Sequence, residues 1–119
     1  MARILIADDD PDILNIYEKF LTREGFEVDT APDGHTAESL LKQGGYSLVL
    51  LDILMPDING INVLKHLRAD PPAEHNGPII MLTALSEGEF IDACLESGAT
   101  GYINKANSQP PEVVEKVKA

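Results

Sequence analysis

Apolar residues along this chain fall into two alternating kinds of stretch. Short, nearly continuous runs, "RILIA" at 3–7, "YSLVLL" at 46–51 and "PIIML" at 78–82, have the length of strands buried on both faces. "FEVDT" at 26–30 alternates like a strand with one exposed face, and "TGYIN" at 100–104 is a further short strand. Between these runs the apolar positions recur at helical spacing. In "DPDILNIYEKFLTREG" the residues Ile13, Leu14, Tyr17, Phe20 and Leu21 form one stripe, with Asp10 as cap, Pro11 in the first turn and Gly25 as the stop. "DGHTAESLLKQGG" at 33–45 turns Ala37, Leu40 and Leu41 inward and closes on two glycines. "INVLKHLRAD" at 61–70 carries Ile61, Leu64 and Leu67 on one side and ends before Pro71-Pro72. "SEGEFIDACLESG" at 86–98 opens with Ser86 and Glu89 at capping-box spacing, and "PEVVEKVKA" at 111–119 is a short last helix.

Five strands therefore alternate with five helices. Alternation with mostly apolar strands predicts an α/β domain, doubly wound as (βα)5, whose parallel five-stranded sheet is covered by helices on both faces. Right-handed crossovers leave few topologies, and the flavodoxin-like strand order 2-1-3-4-5 is expected. In such a sheet the functional site lies at the carboxyl ends of the strands, near the switch point between the first and the third. The expectation is a single domain over 1–119 with no repeat, linker or output domain.

Charge and composition narrow the function. The formal net charge of −11 argues against a nucleic-acid contact, because phosphates are repelled. With three Phe, three Tyr and no Trp there is no aromatic platform for bases. No apolar run reaches the roughly 18 to 20 residues of a membrane span, and the start "MARILIADDD" does not read as a signal peptide. The single cysteine, Cys94, leaves no internal disulfide and fits a reducing cytoplasm; beside Phe90, Ile91 and Leu95 it reads as a buried structural thiol.

The chemistry gathers where the strands end. The first strand runs into Asp8-Asp9 and the third into Asp52, so three carboxylates converge if those strands are neighbours. Two such charges about 4 Å apart repel by about 4 kcal/mol at an effective dielectric of 20, which calls for a compensating cation. Hard divalent cations choose oxygen ligands, and magnesium takes one or two carboxylates, a carbonyl and waters. The fourth strand ends in Thr83-Ala84 and the fifth is followed by Lys105, which adds a hydroxyl and an ammonium at the same edge. A carboxylate can attack a phosphoryl group, and phosphoryl transfer asks for in-line placement and neutralised oxygens, which magnesium, Lys105 and Thr83 would provide. Taken singly each residue has a plainer reading. Asp10 is a helix cap, Asp57 is a turn residue between Pro56 and Asn59-Gly60, and His35, His66 and His75 are solvated surface.

With these residues in hand the chain resembles a receiver domain of the two-component response-regulator family. The resemblance runs from Arg3 to about Lys105 and rests on "ILIADDD", "LLDILMPDING", "MLTA" and "GYINK". It implies that Asp52 accepts a phosphoryl group from a histidine kinase or a histidine phosphotransfer protein. It implies that Asp9, Asp52 and the Leu54 carbonyl bind Mg²⁺ directly and Asp8 through water, that Thr83 closes on the phosphoryl group, and that Lys105 pairs with it. Tyr102 matches the family's switch aromatic. The face of the fourth helix, fifth strand and fifth helix would then act on a downstream output protein or domain, and a homodimer on phosphorylation is one assembly the resemblance allows. Such a domain is a signalling switch in the cytoplasm, an enzyme only toward its own phosphoryl group. Two departures stand out. Ala106 follows the lysine where the family usually has proline, and Pro110-Pro111 delays the last helix, whose apolar stripe is only Val113, Val114 and Val117. Three rival readings stand beside this one. An aspartate-nucleophile phosphatase commonly wants a second acid two residues on, where this chain has Leu54. A flavin site would need a phosphate-cradling loop where "ADDDPD" stands. A receiver-like binding domain that is never phosphorylated is the remaining alternative.

Overall fold

The computed structural model describes residues 2–53, 55–72, 74–83, 96 and 98–104. Strand β1 (Arg3–Ala7) leads to helix α1 (Pro11–Arg23), β2 (Glu27–Ala31), α2 (Gly34–Gln43), β3 (Leu48–Leu51), α3 (Gly60–Ala69), β4 (Ile79–Thr83) and β5 (Gly101–Asn104). All neighbouring strands are parallel and their order is β2-β1-β3-β4-β5, the order expected from the alternation of elements. The helices expected at 86–98 and 111–119, with Cys94 and the Pro110-Pro111 step, fall outside the described residues apart from Glu96 and Gly98.

Strand periodicity divides the core in two. Ile4, Ile6 and Leu50 face α1 and pack with Leu14, Tyr17 and Leu21. Leu5, Ala7, Val49 and Leu51 face the other side and pack with Ala37 and Leu41 of α2 and Val63, Leu64 and Leu67 of α3. Side chains of this size contribute about 1.5–3 kcal/mol each when fully buried, so both faces of β1 and β3 are strongly specified.

Capping chemistry sets the helix ends. Asp10 accepts a hydrogen bond from the Asp12 N–H at 2.9 Å, Asp33 from Thr36 at 2.7 Å and Asn59 from Asn62 at 2.9 Å. Helix α1 ends in a Schellman motif. Gly25, at φ 95°, donates to the Thr22 carbonyl, and Phe26 donates to that of Leu21. Phe26 packs in the same cluster as Leu21, the hydrophobic contact that accompanies this cap.

Several boundaries and faces differ from expectation. Phe26 is taken up by the helix cap, so β2 begins at Glu27 and runs one residue further, to Ala31. Tyr46 and Ser47 precede β3 instead of opening it, because the Tyr46 N–H is bonded to the Asn76 side chain and the Tyr46 carbonyl to Gly77. On α3 the buried positions are Val63, Leu64 and Leu67, while Ile61 is only half-buried. Among the described residues no helix is long and apolar enough to cross a membrane.

Candidate functional site

The β1–β3 pairing builds the site. Ala7 is in register with Leu51, so the next residues on the two strands, Asp8 and Asp52, emerge together at the carboxyl edge. The Asp52 N–H donates to the Ala7 carbonyl at 2.9 Å, and the Asp8 N–H to that of Ala31 at 3.0 Å, which continues both ladders into the acids. Asp8 is 0% exposed and Asp52 4%, while Asp9 is open to solvent. One carboxylate oxygen from each of Asp8, Asp9 and Asp52 lies within 4.8 Å of the others. Burial lowers the local dielectric and strengthens their mutual repulsion. Part of Asp8 is tied locally, since its Oδ1 accepts from the Asp10 N–H at 3.0 Å. Beneath it, the buried Tyr17 phenol is pushed up to about 12, first by burial and then by the negative charge of Asp8. Three oxygen donors of like charge, two of them sheltered, fit a hard divalent cation.

The segment after Asp52 is held at several points. The Gly60 N–H donates to the Ile53 carbonyl at 2.8 Å, closing the stretch from 53 to 60 at its base. Gly60 is buried, and a Cβ there would collide with the Asp52 carbonyl oxygen and come within 2.9 Å of Met81 Cε. The lack of a side chain lets the first turn of α3 pack directly on the chain at the end of β3. Further along, Asp57 receives hydrogen bonds from the Gly34 N–H at 2.8 Å and the His35 N–H at 2.9 Å. Desolvation works against ionisation of Asp57, yet donors from the backbone at His35, Gly34, Ile58 and Asp57 itself outweigh it and hold its carboxyl down at about 2. Asp57 lies in a bend, as expected of a turn residue, and it also caps a helix that begins 23 residues before it in the chain.

The other expected site residues are distributed as follows. Thr83 is the last residue of β4 and is paired with Asn104 at the end of β5, on the same edge as the acids. Tyr102 lies in β5 opposite Met81. Leu54, Lys105 and Ala106 lie outside the described residues. Asp10 caps α1 as expected. His35 and His75 are exposed. His66 is also half-open, but its Nδ1 bonds Glu38, so it links α3 to α2 and is not simply solvated. This pair and the Asp57 cap were not visible in sequence, because each joins residues more than 20 positions apart through side chains whose types are ordinary on any surface.

The model of the response regulator receiver domain family matches residues 4–118. The chain belongs to the response regulator receiver domain family, and with the doubly wound sheet and the acidic edge it is a receiver domain of the two-component kind. Among relatives, the transcriptional regulatory protein SrrA of Staphylococcus aureus is 43% identical over 98% of this chain and 46% of its own length. The DNA-binding response regulator MtrA of Mycolicibacterium smegmatis is 39% identical over 98% of this chain and 49% of its own. The chain thus spans about half the length of the curated relatives it matches. Because MtrA is a DNA-binding regulator, the expectation of no nucleic-acid contact applies at most to this acidic stretch and does not extend to full-length relatives. Among solved structures, the response regulator TrrA of Thermotoga maritima in complex with Mg²⁺-BeF superposes with a TM-score of 0.80 at 38% identity, over 99% of this chain and 97% of that one.

Proposed function

We propose that this chain is the phosphorylation-controlled unit of a two-component or phosphorelay pathway, with Asp52 as the acceptor. The observation that carries the reading is the convergence of Asp8, Asp9 and Asp52 at the paired ends of β1 and β3. A carboxylate oxygen of Asp52 attacks the phosphorus of a partner's phosphohistidine, the P–N bond breaks, and the histidine nitrogen leaves as an acyl phosphate forms. Burial of Asp52 orients the nucleophile and limits access of water, which by attacking the phosphorus would return the free carboxylate. The Thr83 hydroxyl donates to a phosphoryl oxygen and the Lys105 ammonium neutralises another. Asp9 and Asp52, with the Leu54 carbonyl, would hold Mg²⁺ directly and Asp8 through water. When bound, the ion supplies positive charge against the acids and the phosphoryl oxygens, and the Mg²⁺-BeF complex of TrrA supports that choice.

The added charge draws Thr83 and Lys105 inward, and Tyr102 follows, biasing the face of the fourth helix, fifth strand and fifth helix toward a second arrangement. That face controls a downstream output protein or domain, as a monomer or as a homodimer of the phosphorylated form. Residues 1–119 act as one receiver unit, in the cytoplasm, with a histidine kinase or phosphotransfer protein as donor.

Intact mass after incubation with acetyl phosphate tests this, with and without Mg²⁺. The natural chain gains one phosphoryl group only with the metal, and Asp52→Asn gains none. No gain in the natural chain under conditions where Mg²⁺ binds would instead favour a receiver-like binding domain that works without phosphorylation.

A further inference from the structure

We propose that Asp57 is a positioning residue for the acceptor site, acting as a latch that locks the segment after Asp52 onto the N-terminus of α2. The inference rests on the reading of Asp52 and its acidic neighbours given above. Both carboxylate oxygens are used, Oδ1 by the Gly34 N–H at 2.8 Å and Oδ2 by the His35 N–H at 2.9 Å. These are two of the first N–H groups of α2, which have no partner within the helix. The helix already has its own cap, since Asp33 takes the Thr36 N–H at 2.7 Å. Asp57 is therefore a second hydrogen-bond acceptor at this helix end, delivered from the segment that directly follows Asp52. The contact is backed by close packing, because the buried Gly34 lies against Ile58 so tightly that a Cβ there would strike the Ile58 carbonyl oxygen.

What is latched matters for function. The segment from Ile53 to Gly60 is closed at its base by the Gly60 N–H on the Ile53 carbonyl. Asp57 fastened to α2 and Gly60 bonded to Ile53 fix the path of the described residues 55–60, and Leu54, whose carbonyl is the proposed metal ligand, stands between Ile53 and that stretch in the sequence. Outer groups that orient a metal's ligands typically cost about 10- to 100-fold in affinity when removed. Asp57 touches neither metal nor phosphoryl group; it acts through the path of the chain.

Two helix caps on one helix supply an internal control. Asp57→Ala removes the latch, and Asp33→Ala removes the cap of α2 without touching the segment after Asp52. Both variants are expected to lower the urea midpoint. Only Asp57→Ala is expected to weaken binding of Mg²⁺ alone, measured by calorimetry, by about tenfold, and to slow phosphorylation by acetyl phosphate; Asp33→Ala leaves both unchanged. The proposal is overturned if Asp57→Ala binds Mg²⁺ as the natural chain does, or if Asp33→Ala weakens it equally. Should Asp57→Ala fail to fold, Asp57→Asn keeps one acceptor oxygen and is expected to show a smaller loss of affinity, and an unchanged affinity there overturns the latch as well. A natural chain that neither binds Mg²⁺ nor takes up phosphoryl groups defeats the reading of the whole site, whereas a natural chain that does both beside an unaffected Asp57→Ala defeats the latch alone.

Discussion

At Gly60 the missing side chain decides how close a helix can come to Asp52, the proposed acceptor. Any Cβ would meet the Asp52 carbonyl oxygen, which is backbone and cannot swing aside, and would lie 2.9 Å from Met81 Cε. Gly60→Ala must therefore shift either α3 or the end of β3. Overpacking of this kind costs about 1–3 kcal/mol, and a urea titration is expected to show it, together with slower phosphorylation of Asp52. A variant with the stability and acceptor rate of the natural chain would show that α3 moves away freely. The sequence pattern starts this helix at Ile61, and Asn59 and Gly60 are its cap and first residue. The acids at 8, 9 and 52 were legible because each follows an apolar run that had to be a strand. The tasks of Gly60 and Asp57 were not, because a collision with a carbonyl and a bond to a distant amide leave no local pattern.

Each helix and strand owes its limits to a few chemical choices, and α2 shows how such a limit becomes pH-dependent. The Asp57 carboxyl is held at about 2 in the folded chain against an ordinary value of 3.8. A lowered value means that Asp57 stabilises the fold while ionised. Its contribution is complete above the ordinary value and is lost as pH falls through about 2. Acid titration followed by circular dichroism is expected to show natural stability declining across that window, and Asp57→Asn should decline less steeply there. An identical acid limb in the two proteins would mean that the amides of Gly34 and His35 do not favour the ionised form. Element identity was readable because short apolar runs and three-to-four spacing differ so plainly. Element faces were readable less well. Val63 is fully buried though it fell outside the expected stripe, since α3 sits with its axis turned so that Val63, Leu64 and Leu67 meet the sheet. Strand ends shifted where a neighbour claimed the residue, Phe26 for the cap of α1 and Tyr46 for the loop around Asn76.

The molecule as a whole carries a formal charge of −11, and its site concentrates three of those charges in one corner. Divalent metal should consequently stabilise the fold itself. At a hundredfold excess over its dissociation constant a ligand that binds only the native state adds about 2.7 kcal/mol. Thermal unfolding of the natural chain is expected to move upward with Mg²⁺ and back with a chelator, and Asp8→Asn should blunt the response. A midpoint indifferent to Mg²⁺ would separate the acidic corner from any metal. Strand order was legible at this scale in that alternating elements with right-handed crossovers leave few topologies, and the flavodoxin-like one expected among them, with β1 beside β3, is the one observed. That adjacency has a bearing on how the protein is made. Asp8 leaves the ribosome 44 residues ahead of Asp52, with α1, β2 and α2 between them, and neither acid is close to the other until β3 slots in next to β1. A half-made or misassembled chain has Asp52, the proposed acceptor, without the acids that would complete the site around it. On the proposed reading the mark would be written only on a finished molecule, and its presence would report that the domain has folded.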